Sequence, residues 1–358
     1  MAALLSNMLG LVTRSDTAEE YTPPPTVELL TEPEELSPEA YLNIEPLFPA
    51  LHQPEDAVAR PVLRRVDFHK NPASKLARYG DLKAYAAVVE NAFTLKECNE
   101  LLRIAEASAG GTWPIARINA GANLEVLDTS YRNSDRIIYD DQPLADRMLA
   151  RIAPLIEKDI AYLDPEDAGA GKGPLGWKGT AAKRDGHKFR MTRLNERLRY
   201  LRYPVSGFFR MHCDGAYTTP DRRESSLFTF HLYLADNTGP VPLEGGSTRF
   251  WDRAAHTQPD LPLAMLKKRG LTPPEFYDVA PVPGSVLVFQ HAFLVHSGEP
   301  ITAGVKLTIR TDFMYERIPE EEHELEYRKH LQRNGLLADE IPVDPRDEVA
   351  VAAATVDA

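Results

Sequence analysis

Apolar and polar positions alternate with a period of two through much of the second half of the chain. From Leu198 onward, short runs recur between turns: LRYLRYP, LFTFHLYLA, STRFW, SVLVFQ and KLTIRTDFMY. Runs of this length and spacing predict an antiparallel all-β sandwich or barrel, with alternate residues lining the inside. Upstream the period changes. Lys83 to Phe93 predicts a strand running into a helix start, where Thr94 and Glu97 fit a capping box and Phe93 and Cys98 a hydrophobic staple. Cys98, Leu101, Leu102 and Ala105 then form an apolar stripe at helical spacing, which makes Cys98 a packed core residue, and Gly110-Gly111 ends the helix. Ile137, Ile138 and Tyr139 make a short strand. Pro143 opens a second helix, with Leu144, Met148, Leu149, Ile152 and Ile156 on one face. Both helices are expected to pack on the outside of a sheet. The predicted fold class is mainly β with flanking helices around a double-sheet jelly-roll core.

Composition divides the chain further. Residues 1–75 are rich in Pro and Glu, as in Thr22-Pro23-Pro24-Pro25, and predict an extended arm, partly disordered or draped over the domain. Residues 76–320 form one domain, helical in its N-terminal half, with the jelly-roll core at about 195–317. Residues 321–358 are a solvated C-terminal helix, with Glu and Lys/Arg at helical spacing, and a loose tail. Between Asp164 and Lys188 lies a Gly-rich, Lys-containing stretch. It contains no G-x-x-x-x-G-K-[ST] pattern and follows no apolar strand, so it predicts a mobile loop with Trp177 as a candidate lid residue.

A net charge of -12, from 41 basic and 53 acidic residues, argues against a nucleic-acid groove. No apolar run approaches the length of a membrane span. The opening MAALLSNMLGLV lacks the basic start and cleavage site of a signal peptide. Two cysteines, Cys98 and Cys213, make no disulfide framework, and a reducing, cytoplasmic location is expected.

The candidate chemistry sits in RYPVSGFFRMHCD and HSGEPITAGVKLTIR. His212 and Asp214 are two apart, so in an extended strand they point to one face. With His296 they offer two imidazoles and a carboxylate, the ligand set of non-haem Fe(II) oxygenases. Cys213, between them, points away. Lys306, Thr308 and Arg310 are an even number of residues apart and share a face. Thr229, His231 and Tyr233 share another, making His231 either a substrate contact or a satisfied core histidine. Tyr131, Arg132 and Asn133 either reach a substrate or hold a polar turn.

This ordered set resembles the prolyl 4-hydroxylase-type branch of the Fe(II)/2-oxoglutarate-dependent dioxygenases. The branch pattern is an HxD pair, then a strand ending in GG-x-T-x-F, then P-x-x-G-x-x-x-x-F, then H-x-G with Lys ten residues on. Here it reads His212-Cys213-Asp214, Gly245-Gly246-Ser247-Thr248-Arg249-Phe250, Pro283-Gly284, Phe289, His296-Ser297-Gly298 and Lys306. The resemblance implies Fe(II) at His212, Asp214 and His296, with 2-oxoglutarate as cosubstrate, O2 as oxidant, and succinate and CO2 released. It places the far carboxylate of 2-oxoglutarate on Lys306, with Arg310 as rival anchor, Thr308 on the same face and Tyr203 as a hydrogen-bonding neighbour. His291 is fifteen residues from Lys306, not ten, and is therefore structural or a support to the ligands. The carboxylate at 214 favours hydroxylation, desaturation or ring closure over halogenation.

The expected function is an oxygenase acting on a small molecule such as an amino acid or biosynthetic intermediate, with no nucleic-acid or membrane partner. A peptidyl prolyl 4-hydroxylase acting on a protein and a non-catalytic jelly-roll binding protein are the alternatives.

Overall fold

The computed structural model describes residues 29–37, 46–51, 60–121, 124–165, 186–234, 241–252 and 274–333. Trp177, most of the Gly-rich stretch, the first 28 residues and the C-terminal tail lie outside the described residues.

The strands, in chain order, are β1 (Glu34–Glu35), β2 (Val62–Arg65), β3 (Ala86–Glu90), β4 (Ile118–Gly121), β5 (Leu124–Val126), β6 (Arg132–Asn133), β7 (Asp135–Asp140), β8 (Tyr162–Leu163), β9 (His187–Leu194) and β10 (Arg197–Tyr203). They continue as β11 (Phe208–His212), β12 (Glu224–Leu234), β13 (Glu244–Gly245), β14 (Thr248–Trp251), β15 (Phe276–Val279), β16 (Val286–Gln290), β17 (His296–Gly298), β18 (Ile301–Ala303) and β19 (Lys306–Pro319). Among the described residues four α-helices accompany them: α1 (Ala77–Asp81), α2 (Leu95–Ser108), α3 (Gln142–Ile160) and α4 (Glu320–Arg333).

Two antiparallel sheets carry the architecture. The larger runs β1-β2-β3-β16-β12-β19-β10-β7, with β9 joining the far half of β19 and β8 pairing β9. The smaller runs β15-β14-β17-β11-β6. Alternation along β12 explains why two cores form. Phe228, Phe230 and Leu232 point to a cluster with α2 and α3, whereas Tyr233 points to a second cluster with Phe250, Leu287 and Phe289. The first cluster is the helix-covered outside of the large sheet, and the second lies between the sheets. Each fully buried Phe in them contributes about 1.5–3 kcal/mol.

The predicted helices form as their stripes require. Thr94 caps α2 in a full capping box with Glu97, and Cys98, Leu101, Leu102 and Ala105 are buried. Asp141 caps α3, which buries Leu144, Met148, Ile152 and Ile156. Both helices pack on the outer face of the sheet, as expected, and neither Cys98 nor Cys213 is in a disulfide.

Two boundaries move. Val62–Arg65, inside the stretch expected to be an arm, is a strand paired with β3 along Val62 to Arg65. The ordered domain therefore starts before residue 76: pairing with an exposed strand edge supplies main-chain hydrogen bonds that a Pro- and Glu-rich composition does not reveal. Likewise β2, β3, β7 and β9 bring chain from before residue 195 into the jelly-roll sheet.

A buried ion pair ties α2 to α3. Arg151 Nη2 donates to Glu97 Oε1 at 2.8 Å, and both side chains are less than a tenth exposed. Glu97 also accepts from the backbone N–H groups of Leu47 and Thr94. Removing one partner of such a pair strands the other charge, so Arg151→Ala is expected to lower the unfolding free energy by about 3–5 kcal/mol in urea denaturation. A loss below about 1 kcal/mol, as for an exposed pair, would show that the pair is dispensable.

Candidate metal centre

The small sheet places the two histidines. In the β11–β17 pairing, His212 stands directly opposite His296, and the ring centroids are 4.3 Å apart. The Nδ1 of His212 is 2.7 Å from the Arg210 carbonyl and that of His296 is 3.1 Å from the Leu294 carbonyl. A carbonyl only accepts, so each Nδ1 carries the proton and each Nε2 keeps its lone pair free for a ligand. Strand β11 ends at His212, so Asp214 lies just past it, yet its carboxylate still converges. Asp214 Oδ1 is 3.7 Å from His212 Nε2, and Oδ2 is 3.8 Å from His296 Nε2. Ligand atoms of these three residues lie within 4.8 Å of one another, the single such His/Cys/Asp/Glu group among the described residues that could hold a metal ion.

Electrostatics prepare these groups. Burial pushes the His212 imidazole down to about 3, helped by the neighbouring His296, and burial lowers His296 as well. Both rings are thus neutral near pH 7. Burial opposes ionisation of Asp214, but Arg310, then His296 and His212, hold its carboxyl well below the usual range.

The large sheet supplies the opposite wall. The Thr229 hydroxyl donates to Asp214 Oδ2 at 2.5 Å, and Arg310 Nη2 lies 3.2 Å from Oδ1. Arg310 also bonds Asp312 at 3.0 Å. Asp312 is almost fully buried and is shared with Arg199 at 3.2 Å and His291 at 3.4 Å. Arg310 is therefore committed to two carboxylates.

Lys306 is not. Its ammonium is buried, donates to the Gly246 carbonyl at 2.6 Å, and stands 5.6 and 5.5 Å from the rings of Tyr203 and Tyr233. Among the described residues no carboxylate lies within 4.0 Å of it. Burial lowers Lys306 to about 7, with Glu299 pulling the other way. Gly246 sits at φ +72°, where a Cβ would meet Ile301 Cδ1 at 2.4 Å; only glycine lets its carbonyl turn to the ammonium.

Tyr203 is the register partner of Lys306 on β10, Tyr233 that of Thr308, and His231 that of Arg310. Thr308 Oγ1, His231 Nε2 and Arg310 Nε are buried and without a hydrogen-bond partner among the described residues. Tyr131 donates its hydroxyl to the Met211 carbonyl at 3.0 Å. Arg132, on the edge strand β6, is 8% exposed, and its guanidinium lies 4.6 Å from the centroid of Phe209. Phe209 in turn stacks on His212 at 3.7 Å.

Thr229 and Asp312 as supports, Arg199 on Asp312 and Phe209 against His212 are additions to the expected set. The first two were within reach, because Asp312 continues the even spacing from Lys306 and Thr229 shares the face of His231. Arg199 and Phe209 follow only from strand pairing.

Residues 198–313 match the family model of the 2OG-Fe(II) oxygenase superfamily. No curated protein matches the chain. Among solved structures, a prolyl-4-hydroxylase from Pseudomonas putida is 15% identical with a TM-score of 0.36, over 66% of this chain and 95% of that one. A prolyl hydroxylase from Trichoplax adhaerens, in complex with a hypoxia inducible factor peptide fragment, is 12% identical with a TM-score of 0.38, over 70% and 89%. HygX from Streptomyces hygroscopicus, with nickel and 2-oxoglutarate bound, is 17% identical with a TM-score of 0.31, over 68% and 85%. Among the described residues no helix is long and apolar enough to cross a membrane.

The donor set fits the group that this family carries: two neutral imidazoles and one carboxylate could hold Fe(II). A buried ammonium beside an unpartnered hydroxyl fits an acid. Over residues 198–313 the chain matches the 2OG-Fe(II) oxygenase superfamily, and this match together with the donor set supports a 2-oxoglutarate-dependent dioxygenase that uses Fe(II) and O2.

Proposed function

We propose that His212, Asp214 and His296 are the iron ligands, that Lys306 anchors 2-oxoglutarate, and that the enzyme oxidises a C–H bond of a small molecule such as an amino acid or biosynthetic intermediate. The observation that carries this reading is the contrast between the two cations of β19. Arg310 is bound to Asp214 and Asp312, whereas Lys306 is buried with one carbonyl as its acceptor.

Bound Fe(II) with 2-oxoglutarate supplies O2 activation, with release of succinate and CO2. The protein's own groups do the rest. The Arg210 and Leu294 carbonyls fix the imidazole tautomers, and the Thr229 hydroxyl and Arg310 fix the rotation of the Asp214 carboxylate. Lys306 meets the far carboxylate of 2-oxoglutarate, with Tyr203 and Thr308 as its hydrogen-bonding neighbours. Tyr233, Phe250 and Phe289 keep that end dry, which strengthens the ion pair. His231 holds its Nε2 towards the same space. The recessed position of Arg132 beside Phe209 and His212 supports a small substrate.

Three outcomes test this. His212→Ala and Asp214→Ala should each lose Fe(II) in anaerobic dialysis followed by metal analysis; full retention in either would move the metal elsewhere. Lys306→Ala should weaken 2-oxoglutarate binding to Mn(II)-loaded protein by about tenfold or more, the worth of one charge-assisted hydrogen bond, and Arg310→Ala much less. The reverse order would make Arg310 the anchor. Because both imidazoles titrate below their ordinary value of 6.5, protons compete with metal only in more acidic solution. Mn(II) affinity should therefore change little between about pH 7.5 and 6.0, whereas two ordinary imidazoles would give roughly a tenfold loss.

A further inference from the structure

Charge is not balanced around the site. Four cations line it: Arg132, Arg199, Lys306 and Arg310. Two buried carboxylates, Asp214 and Asp312, face them. On the small sheet Arg249 is shared by Asp278 and Glu299, which adds one negative charge. A divalent metal and a doubly charged keto acid cancel each other. Over these groups one positive charge is left over, in a place where an unpaired ion is costly.

Geometry assigns that charge to Arg132. Arg199 and Arg310 divide Asp312, and Arg310 also holds Asp214. Among the described residues no carboxylate lies within 4.0 Å of Arg132, whose Nε donates to the neutral Ser134 hydroxyl at 2.9 Å. Its other neighbours are the face of Phe209 and the Tyr203 hydroxyl. The cation is thus separated from His212 by one aromatic ring, stacked on both. Strand β6 is the outer edge of the small sheet, and Arg132 reaches across to the hydroxyl of Tyr203, whose ring stands 5.6 Å from the Lys306 ammonium. A guanidinium held in this way presents its remaining N–H fork to a planar anion.

We infer that Arg132 is the substrate anchor and that the substrate carries a carboxylate, bound across Phe209 from the metal site. This rests on the oxygenase reading above and deepens it by naming the substrate class. The carboxylate comes from a small acid or from an acidic residue of a peptide, and the test separates the two.

Full-length protein loaded with Mn(II) and 2-oxoglutarate, which cannot turn over, would be titrated by calorimetry. One panel holds N-acetyl amino acids and their amides; the other holds C-terminally amidated peptides containing Asp or Glu and their Asn or Gln counterparts. Acids of one panel should bind about tenfold tighter than their neutral partners, Arg132→Gln should erase that preference, and Arg132→Lys should restore part of it. The panel in which the preference appears names the source. The dissociation constant for 2-oxoglutarate should stay within about twofold in both variants. Absence of any acid binding tighter than its neutral partner overturns the inference. So does a loss of 2-oxoglutarate binding in Arg132→Gln with normal folding in Arg132→Lys, which would assign Arg132 to the cosubstrate. Binding of Mn(II) and 2-oxoglutarate to the unmodified protein is read first, so failure of the oxygenase reading shows separately.

Discussion

The Asp214 carboxylate belongs to one sheet and is held by the other. Its chain segment follows β11, beside the histidine pair, but its oxygens are bonded from the large sheet by Thr229 and Arg310. That contact fixes the separation of the two sheets at the point where the three ligand side chains meet. It also explains why Asp312 is buried: Arg310 needs a second acceptor to remain in place, and Asp312 supplies it while Arg199 and His291 share the load. Without this network a carboxylate so deeply buried would take up a proton, and it could not serve as a metal ligand.

The large sheet therefore has a division of labour along β19. Going along its inner face come Lys306, the anchor proposed for the cosubstrate, then Thr308, then Arg310, which holds Asp214, and Asp312, which holds Arg310. The period of two in a strand is what lets fourteen consecutive residues build a polar wall on one side and an apolar core on the other. The same arithmetic on β12 sends Thr229, His231 and Tyr233 inward and Phe228, Phe230 and Leu232 outward under the helices.

Legibility followed the range of the interaction. Helices α2 and α3 were readable because caps and stripes are local, and the strand runs after Leu198 because alternation is local too. The convergence of His212, Asp214 and His296 was readable because His212 and Asp214 are near neighbours and His296 stands ten residues before Lys306. What needed the structure was cross-strand choice. Both Lys306 and Arg310 lie on one face of β19, and nothing in the linear order says that Arg310 is spent on Asp214. The Val62–Arg65 strand and the Glu97–Arg151 pair were hidden for the same reason, since their partners lie far away in sequence. Arg132 stood out only as one polar residue in a polar stretch until the sheet set it against Phe209.

The central claim is that the His212–Asp214–His296 cluster binds iron and that 2-oxoglutarate chelates it there. An anaerobic titration with Fe(II) and 2-oxoglutarate, followed in the visible range, tests it most directly. A weak charge-transfer band that needs both additions and disappears in His296→Ala is the expected result. Metal binding without a band, or a band that survives in His296→Ala, would contradict the account.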